Sequence, residues 1–393
     1  MKKIATLSFI TATLLMASGE MPPVAEATAE EKAFSFIKTV NGYIRAGYQN
    51  TDISGDTDYT DTALGGKLHI ETVSWNGISA GASFYTTNSV GKDEGYLSGA
   101  GMAFFDGSGN SYSILGEAYL QGEWGNTTLK AGRQEIDTPF ADTDDIGMVP
   151  NSFEAVTLVN TDIKETTILL AQVQRMAGVD AEVPGEFKKL NGDDGVQVLG
   201  ITYEGIEGVS LSGWYYYAND LIKVPYLEAT YEADLGEVSL GLGAQYAYMD
   251  WEGDSAAKVF GATLSAGFSP AGLIVGAAYN KSSDGPADDL FGGGPFFTSS
   301  EHLTLPVAGS DGEAVMYTAE WDAGTIGIEG LTLGAGYLTL ESDTGLESSE
   351  LDLIASYAFN DALTLDIFYS DIDDKIESGD ELTNLRVFLN YAF

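Results

Sequence analysis

An alternation of apolar and polar residues with a period of two constrains the fold of this chain of 393 residues more than any other feature. It begins at Val40 and recurs in short segments up to the last residue, Phe393. From Val238 to Gln245, for example, every second residue is apolar, whereas those between are small or polar. Successive side chains of a β-strand point to opposite faces, so the pattern predicts strands with one apolar face each. We count about eighteen such segments.

The connections between these segments alternate in length. Gly125-Asn126 and Asn360-Asp361 are short links with turn residues, whereas residues 135–152 and 282–313 form long ones. Short turns at one end and long loops at the other are typical of outer-membrane barrels, and so are aromatic residues near the strand ends. The sequence therefore predicts an all-β fold, a transmembrane antiparallel β-barrel of about 18 strands.

Two other folds fit the sequence less well. Beyond the first residues, no stretch reaches the roughly 18 to 20 apolar residues that a membrane-spanning helix needs. A soluble β-sandwich would have to bury the apolar faces of all these strands in one core, and no linker or compositional break divides the chain into smaller domains. Both observations favour the barrel.

Residues 1–27 have the three parts of an export signal. Lys2 and Lys3 supply positive charge, residues 4–16 are mainly apolar, and Ala25-Glu26-Ala27 forms a small-x-small cleavage site. We expect residues 1–27 to be a cleaved signal peptide, residues 28–39 a short periplasmic segment and residues 40–393 the transmembrane barrel. The predicted location is the outer membrane of a Gram-negative bacterium, where outer-membrane lipid and lipopolysaccharide surround the protein.

The last strand carries a second targeting feature. Leu389, Tyr391 and Phe393 share one face and end in a terminal aromatic residue. This arrangement resembles the signal that the barrel-assembly machinery of Gram-negative envelopes reads, so we expect that machinery to be a partner. The alternative is an ordinary edge strand that happens to end the chain.

Composition excludes several functions. The formal charge of -41 opposes nucleic-acid binding, which requires a basic groove. The chain has no cysteine, and its two histidines, His69 and His302, supply few metal ligands. Its single Gly-x-Ser-x-Gly match, Gly77 to Gly81, opens a predicted strand and lacks the strand-to-helix turn of a nucleophile elbow. We therefore expect neither a cofactor nor a metal, and no enzymatic activity.

One region carries a family resemblance. Leu129-Lys130-Ala131-Gly132-Arg133-Gln134 is followed by Asp137-Thr138-Pro139-Phe140-Ala141-Asp142 and then by Met148-Val149-Pro150-Asn151-Ser152-Phe153-Glu154. This run resembles the OprD-type outer-membrane porin family. The resemblance implies an eighteen-stranded barrel whose third extracellular loop folds inward and narrows the pore, with small hydrophilic nutrients as solutes, often carboxylates or amino acids. Family members commonly have an arginine before the Met-x-Pro segment, where this chain has Gly147.

The residues themselves suggest where selectivity arises. The long connection after the fifth strand contains a group of acids that would line a pore constriction if the loop folds inward: Glu135, Asp137, Asp142, Asp144 and Asp145. Strand parity places a group of basic residues on the lumen wall: Arg45, Lys67, His69, Lys130 and Arg386. Opposed charges across a narrow aqueous lumen would select solutes by charge. Two alternatives stay open: the arginines form structural ion pairs, or the acids belong to a solvated surface loop.

The predicted function is a passive, water-filled channel for small hydrophilic solutes and ions, with cations or zwitterions favoured by the net charge. The alternative is a structural or adhesive barrel with a plugged lumen and partner-binding loops. The sequence leaves a homotrimer open as the oligomeric state. It also leaves open whether Arg133 and Arg175, which strict alternation places on the apolar faces of their strands, lie at the outer rim or beside a bulge that reverses the parity.

Overall fold

The computed structural model describes residues 36–55, 58–91, 104–181 and 183–393. The predicted signal peptide lies outside these residues. The strands are β1 (Ile37–Ile53), β2 (Tyr59–Thr72), β3 (Ile78–Ser89), β4 (Tyr112–Trp124), β5 (Thr127–Gln134), β6 (Ser152–Asn160), β7 (Thr166–Ala177), β8 (Lys188–Lys189), β9 (Val196–Ile206), β10 (Val209–Ala218), β11 (Ile222–Asp234), β12 (Val238–Trp251), β13 (Ala257–Phe268), β14 (Leu273–Ser283), β15 (Glu313–Asp322), β16 (Leu331–Glu341), β17 (Glu347–Asn360), β18 (Leu363–Asp373) and β19 (Glu381–Ala392). β1 thus begins inside the segment expected to precede the barrel.

These strands form one closed barrel. Each pairs antiparallel with the next along the chain, except that β7 pairs directly with β9, and β8 adds a two-residue strand against the end of β7. β19 pairs with β1, and the seam ends where Gly42 and Phe393 exchange backbone hydrogen bonds of 3.1 and 3.0 Å. The predicted β-barrel of about eighteen strands is confirmed, with β8 as an addition. Among the described residues, the search for helices long and apolar enough to cross a membrane finds none.

The two faces of the wall have different chemistry. Along β1, Ile44 and Tyr48 are exposed on the outside, whereas Arg45 and Gln49 are buried inside. Outward apolar side chains are favourable in the hydrocarbon of a bilayer. Closure of the sheet pairs the backbone N–H and C=O groups that an open edge would leave without hydrogen bonds. The side chains of β1 thus alternate between the outside and the interior of the barrel.

The two ends of the barrel differ in their connections. At one end, here the short-turn end, Asn76 and Gly77 both have positive φ values, 53° and 81°, as a tight hairpin of this kind requires. At the opposite, long-loop end lie two extended loops: residues 135–151, the first inward loop, and residues 284–312, the second inward loop.

The two inward loops meet inside the barrel. The Phe291 amide donates to the Phe140 carbonyl at 3.1 Å, and Ala141 forms an isolated bridge with Phe291. The Phe140 ring packs edge-on against Tyr216, Tyr226 and Phe296, with centroid distances of 5.4 to 6.0 Å. Part of the lumen is therefore filled by an apolar core, which confines any water-filled path to the remaining space.

The outward face of the closing strand provides a test of the barrel's orientation in lipid. Val387 lies on that face near the middle of β19, whereas Glu381 begins the strand. We expect Val387→Arg to lower the free energy of unfolding by roughly 2–4 kcal/mol, and Glu381→Arg by about 0–1 kcal/mol, because arginine is costly at the bilayer midplane and not at its edge. Urea titration in phospholipid vesicles measures both values. Equal costs would contradict this placement of the membrane.

Candidate functional site

Arg45 fastens the first inward loop to the wall. Its Nη1 and Nη2 atoms donate to the Asp145 carboxylate at 2.7 and 2.9 Å, and Nη1 also donates to the Gly147 carbonyl at 2.6 Å. Nε donates to Asn390 on the neighbouring strand at 2.8 Å. The Arg45 side chain is fully buried by these contacts. A solute in the lumen therefore does not reach this guanidinium.

Arg386 joins the first inward loop to the second. It donates to the Ile146 carbonyl at 3.0 Å and forms an ion pair with Glu301, and both side chains are almost completely buried. The second inward loop has further anchors on β17: Ser300 donates to Asp352 at 2.5 Å, and the Leu303 amide donates to Glu350 at 2.6 Å. Both loops are thus held by the part of the wall around the closing seam.

A glycine allows the first inward loop to approach the wall closely. A Cβ atom at Gly47 would lie 2.7 Å from the Met148 sulfur and 2.9 Å from the Phe104 ring. Carbon atoms that are not bonded meet at about 3.5–4.0 Å, so a side chain at this position would displace the side chains of Met148 and Phe104. Gly47 therefore belongs to the structure that sets the loop's position.

The other predicted basic residues form a separate cluster. Lys67 contacts Glu135 at 3.0 Å and Glu117 at 3.3 Å, while Lys130 lies 3.7 Å from Glu117. His69 contacts Ser83 at 2.7 Å and lies 3.6 Å from Glu117. The side chains of Lys67, His69 and Lys130 all keep partial exposure, in contrast to the two buried arginines. The five predicted basic residues thus all face the interior, but they form two groups with different access to solvent.

Sequence reasoning missed Glu117, which lies at the centre of this cluster. The signal was available, because Glu117 shares the face of β4 that is opposite to the outward Leu120. A carboxylate on the lumen face next to predicted lumen lysines would have indicated their partner.

A cavity of about 1010 Å³ lies at the long-loop end, between the two inward loops and the loop after β18. Two of its lining residues, Trp214 and Tyr226, are aromatic. Its acidic lining residues come from several loops and strands: Asp137, Asp142, Asp144, Asp180, Glu228, Asp289, Glu301, Asp374, Glu377 and Asp380. None of its described lining residues is a lysine or an arginine. We call this space the acidic cavity.

The five predicted acids of the first inward loop divide between two tasks. Asp137, Asp142 and Asp144 line the acidic cavity. Glu135 and Asp145 instead contact wall cations, Lys67 and Arg45 respectively. Some acids of this loop thus form ion pairs with the wall, and others line the acidic cavity.

The charge of the acidic cavity depends on burial. Burial raises the pKa of Glu301, whereas the adjacent Arg386 lowers it and holds this carboxylate in an ion pair. Burial likewise raises the pKa of Asp289 to about 7 and lowers the pKa of His302 to about 3. At neutral pH Asp289 therefore carries only part of its negative charge, and His302 is neutral.

The second inward loop is the main part of the site that the sequence did not assign to the lumen. The sequence showed that this connection is long. The family resemblance, however, lies around the first inward loop, and no motif indicated that residues 284–312 also fold into the lumen. Within the described ranges, no group of three or more histidine, aspartate or glutamate side chains is arranged to hold a metal ion.

Solved crystal structures share this fold. Pseudomonas aeruginosa OccK9 (OpdG) matches with a TM-score of 0.77 and 17% identity, over 90% of this chain and 97% of that chain. P. aeruginosa OccD3 (OpdP) matches with a TM-score of 0.75 and 15% identity, over 96% and 97%. P. aeruginosa OpdK, solved with vanillate, matches with a TM-score of 0.76 and 14% identity, over 90% and 98%. At such identities the likeness establishes the fold.

Sequence comparison establishes the family. No curated protein sequence is detectably similar to this chain. A family model described as outer membrane porin, OprD family, matches residues 105–341, which is more than half of the chain. Porins of this family are outer-membrane channels for small solutes and not enzymes. The family that the sequence resembles is thereby confirmed: this chain belongs to the OprD family of outer-membrane porins.

Proposed function

We propose that the protein is a passive channel in which the acidic cavity receives solutes at the extracellular end and favours cations and zwitterions over anions. The observation that carries this proposal is the lining of the cavity, in which many carboxylates occur without a lysine or an arginine among the described residues. A solute that enters from the long-loop end meets this negative potential before it meets any wall cation.

The second step of the proposed path is the cluster around Glu117. Lys67, His69 and Lys130 keep partial exposure there, so these three side chains are the wall cations available to a passing solute. Arg45 and Arg386 act through the loops that they hold. Fixed charges of both signs in a narrow, water-filled lumen act on solutes without a covalent step, through the field between them.

We also propose how the chain reaches this state. Residues 1–27 direct export and are removed. Leu389, Tyr391 and Phe393 then serve as the assembly signal; all three are exposed on the outward face of the last strand, where another protein can contact them before the seam closes.

Conductance in a planar bilayer tests the channel itself. We expect the purified, refolded protein to give a sustained open current, because the acidic cavity leaves a water-filled entrance at the long-loop end. A barrel that is correctly folded and gives no current would instead indicate a plugged lumen, and the structural or adhesive alternative would then hold.

Selectivity is tested by removing charge from the acidic cavity. We expect Asp142→Asn with Asp144→Asn to shift the reversal potential in a salt gradient towards anions, because both residues line the cavity. Asp254→Asn with Asp343→Asn is a matched control, since these acids are exposed in other connections at the same end and do not line the cavity. An unchanged reversal potential in the first variant, or an equal shift in both, would place selectivity elsewhere.

A further inference from the structure

Two of the four arginines of the chain lie on the outward face of the barrel. Arg133 is the last residue but one of β5 and faces the same way as the exposed Leu129. On β7 a bulge at Gln174 separates the buried, inward Val173 from Arg175, so that Arg175 pairs with Glu154 on the outward side. Both arginines therefore lie at the outer rim, and the bulge turns Arg175 outward instead of into the lumen.

The depth of these arginines follows from their neighbours. Below them on β5, β6 and β7, towards the short-turn end, Leu129, Val156 and Leu170 are exposed and form an apolar band. The arginines lie above that band, near the strand ends that lead into the long loops. An arginine is tolerated at the edge of the bilayer, where the headgroups begin, and is costly at its centre.

One carboxylate serves both guanidinium groups. Glu154 lies between them on β6, with its Oε2 atom 3.9 Å from Arg133 Nε and 3.6 Å from Arg175 Nη1. Both distances exceed that of a normal hydrogen bond, and two guanidinium groups offer more N–H donors than one carboxylate accepts. The group therefore keeps one excess positive charge, although the chain as a whole carries -41.

The lysines exposed at the same end of the barrel have a different arrangement. Within the described ranges these lysines have carboxylate partners of their own, as in the pairs Lys223 with Asp250, Lys258 with Asp284 and Lys281 with Glu313. In the part of the barrel that the structure describes, an unbalanced positive group on the outward face is therefore a feature of β5–β7, and the general abundance of charge at the rim does not explain it.

We propose that Arg133 and Arg175 bind a phosphate group of lipopolysaccharide in the outer leaflet. Guanidinium groups bind phosphate through paired hydrogen bonds, and a second anion beside Glu154 would balance the excess charge. The Phe187 ring lies over the Arg133 guanidinium, with 4.3 Å between the Cζ atom and the ring centroid, which holds this side chain in place beside the lipid.

Lipid binding to the purified full chain in detergent micelles, measured by native mass spectrometry, tests this proposal. The probes are bisphosphorylated lipid A, its dephosphorylated form and inorganic phosphate. We expect the bisphosphorylated lipid to bind at least about tenfold more tightly than the dephosphorylated one, and Arg133→Gln with Arg175→Gln to remove about that factor. Arg133→Lys with Arg175→Lys should retain part of the affinity, because the charges remain.

Lys258→Gln with Lys281→Gln is the control, since it removes two outward positive charges from the same end. We expect it to bind the bisphosphorylated lipid like the wild type. The proposal would be overturned by equal affinity of the wild type for both lipids, by an equal loss of affinity in the control, or by no loss in the double glutamine variant. It would also be overturned if inorganic phosphate displaced the bisphosphorylated lipid as effectively as unlabelled lipid does. If the double glutamine variant does not fold, Arg175→Gln alone gives the same comparison. Because binding is measured without a current, the result is independent of the channel proposal.

Discussion

The geometry of the lumen depends on two arginines that are buried inside the barrel. A guanidinium without water is stable in a protein only when carboxylates and carbonyl oxygens surround it, and loss of one partner of a buried pair costs roughly 3–5 kcal/mol. Arg45 and Arg386 find those partners on the inward loops, at Asp145 and Glu301. The requirement to neutralise two charges on the wall therefore also determines where the loops lie.

The position of the loops in turn divides the interior. On one side, Phe140 and its aromatic neighbours fill part of the lumen with an apolar core. At the long-loop end the same loops line the acidic cavity. Glu135, the first residue of the first inward loop, contacts Lys67 on the wall. The location of a loop acid thus decides its function. Acids beside a wall cation hold the loop against the wall, and acids that line the acidic cavity give the entrance its negative charge.

Much of this architecture was predictable from the sequence, because the period of two in strands is strict. Parity places Arg45 and Arg386 in the lumen without any tertiary information. Their burial was not predictable, since it depends on loops that contact the wall from across the barrel. The direction of Arg175 could not be read from the sequence either, because one extra residue in a strand leaves no compositional mark. The second inward loop was visible as a long connection, yet its direction is set by tertiary contacts such as that between Ser300 and Asp352.

Single-channel recording of a variant that lacks both anchors tests this dependence most directly. In Arg45→Gln with Arg386→Gln the barrel wall keeps its strands, while both inward loops lose their contacts with the two buried guanidinium groups. The mean conductance should rise and the current should fluctuate more than in the wild type, because loops that leave the wall open the lumen and move. A correctly folded variant with the wild-type conductance and noise would show that the two arginines do not set the geometry of the channel.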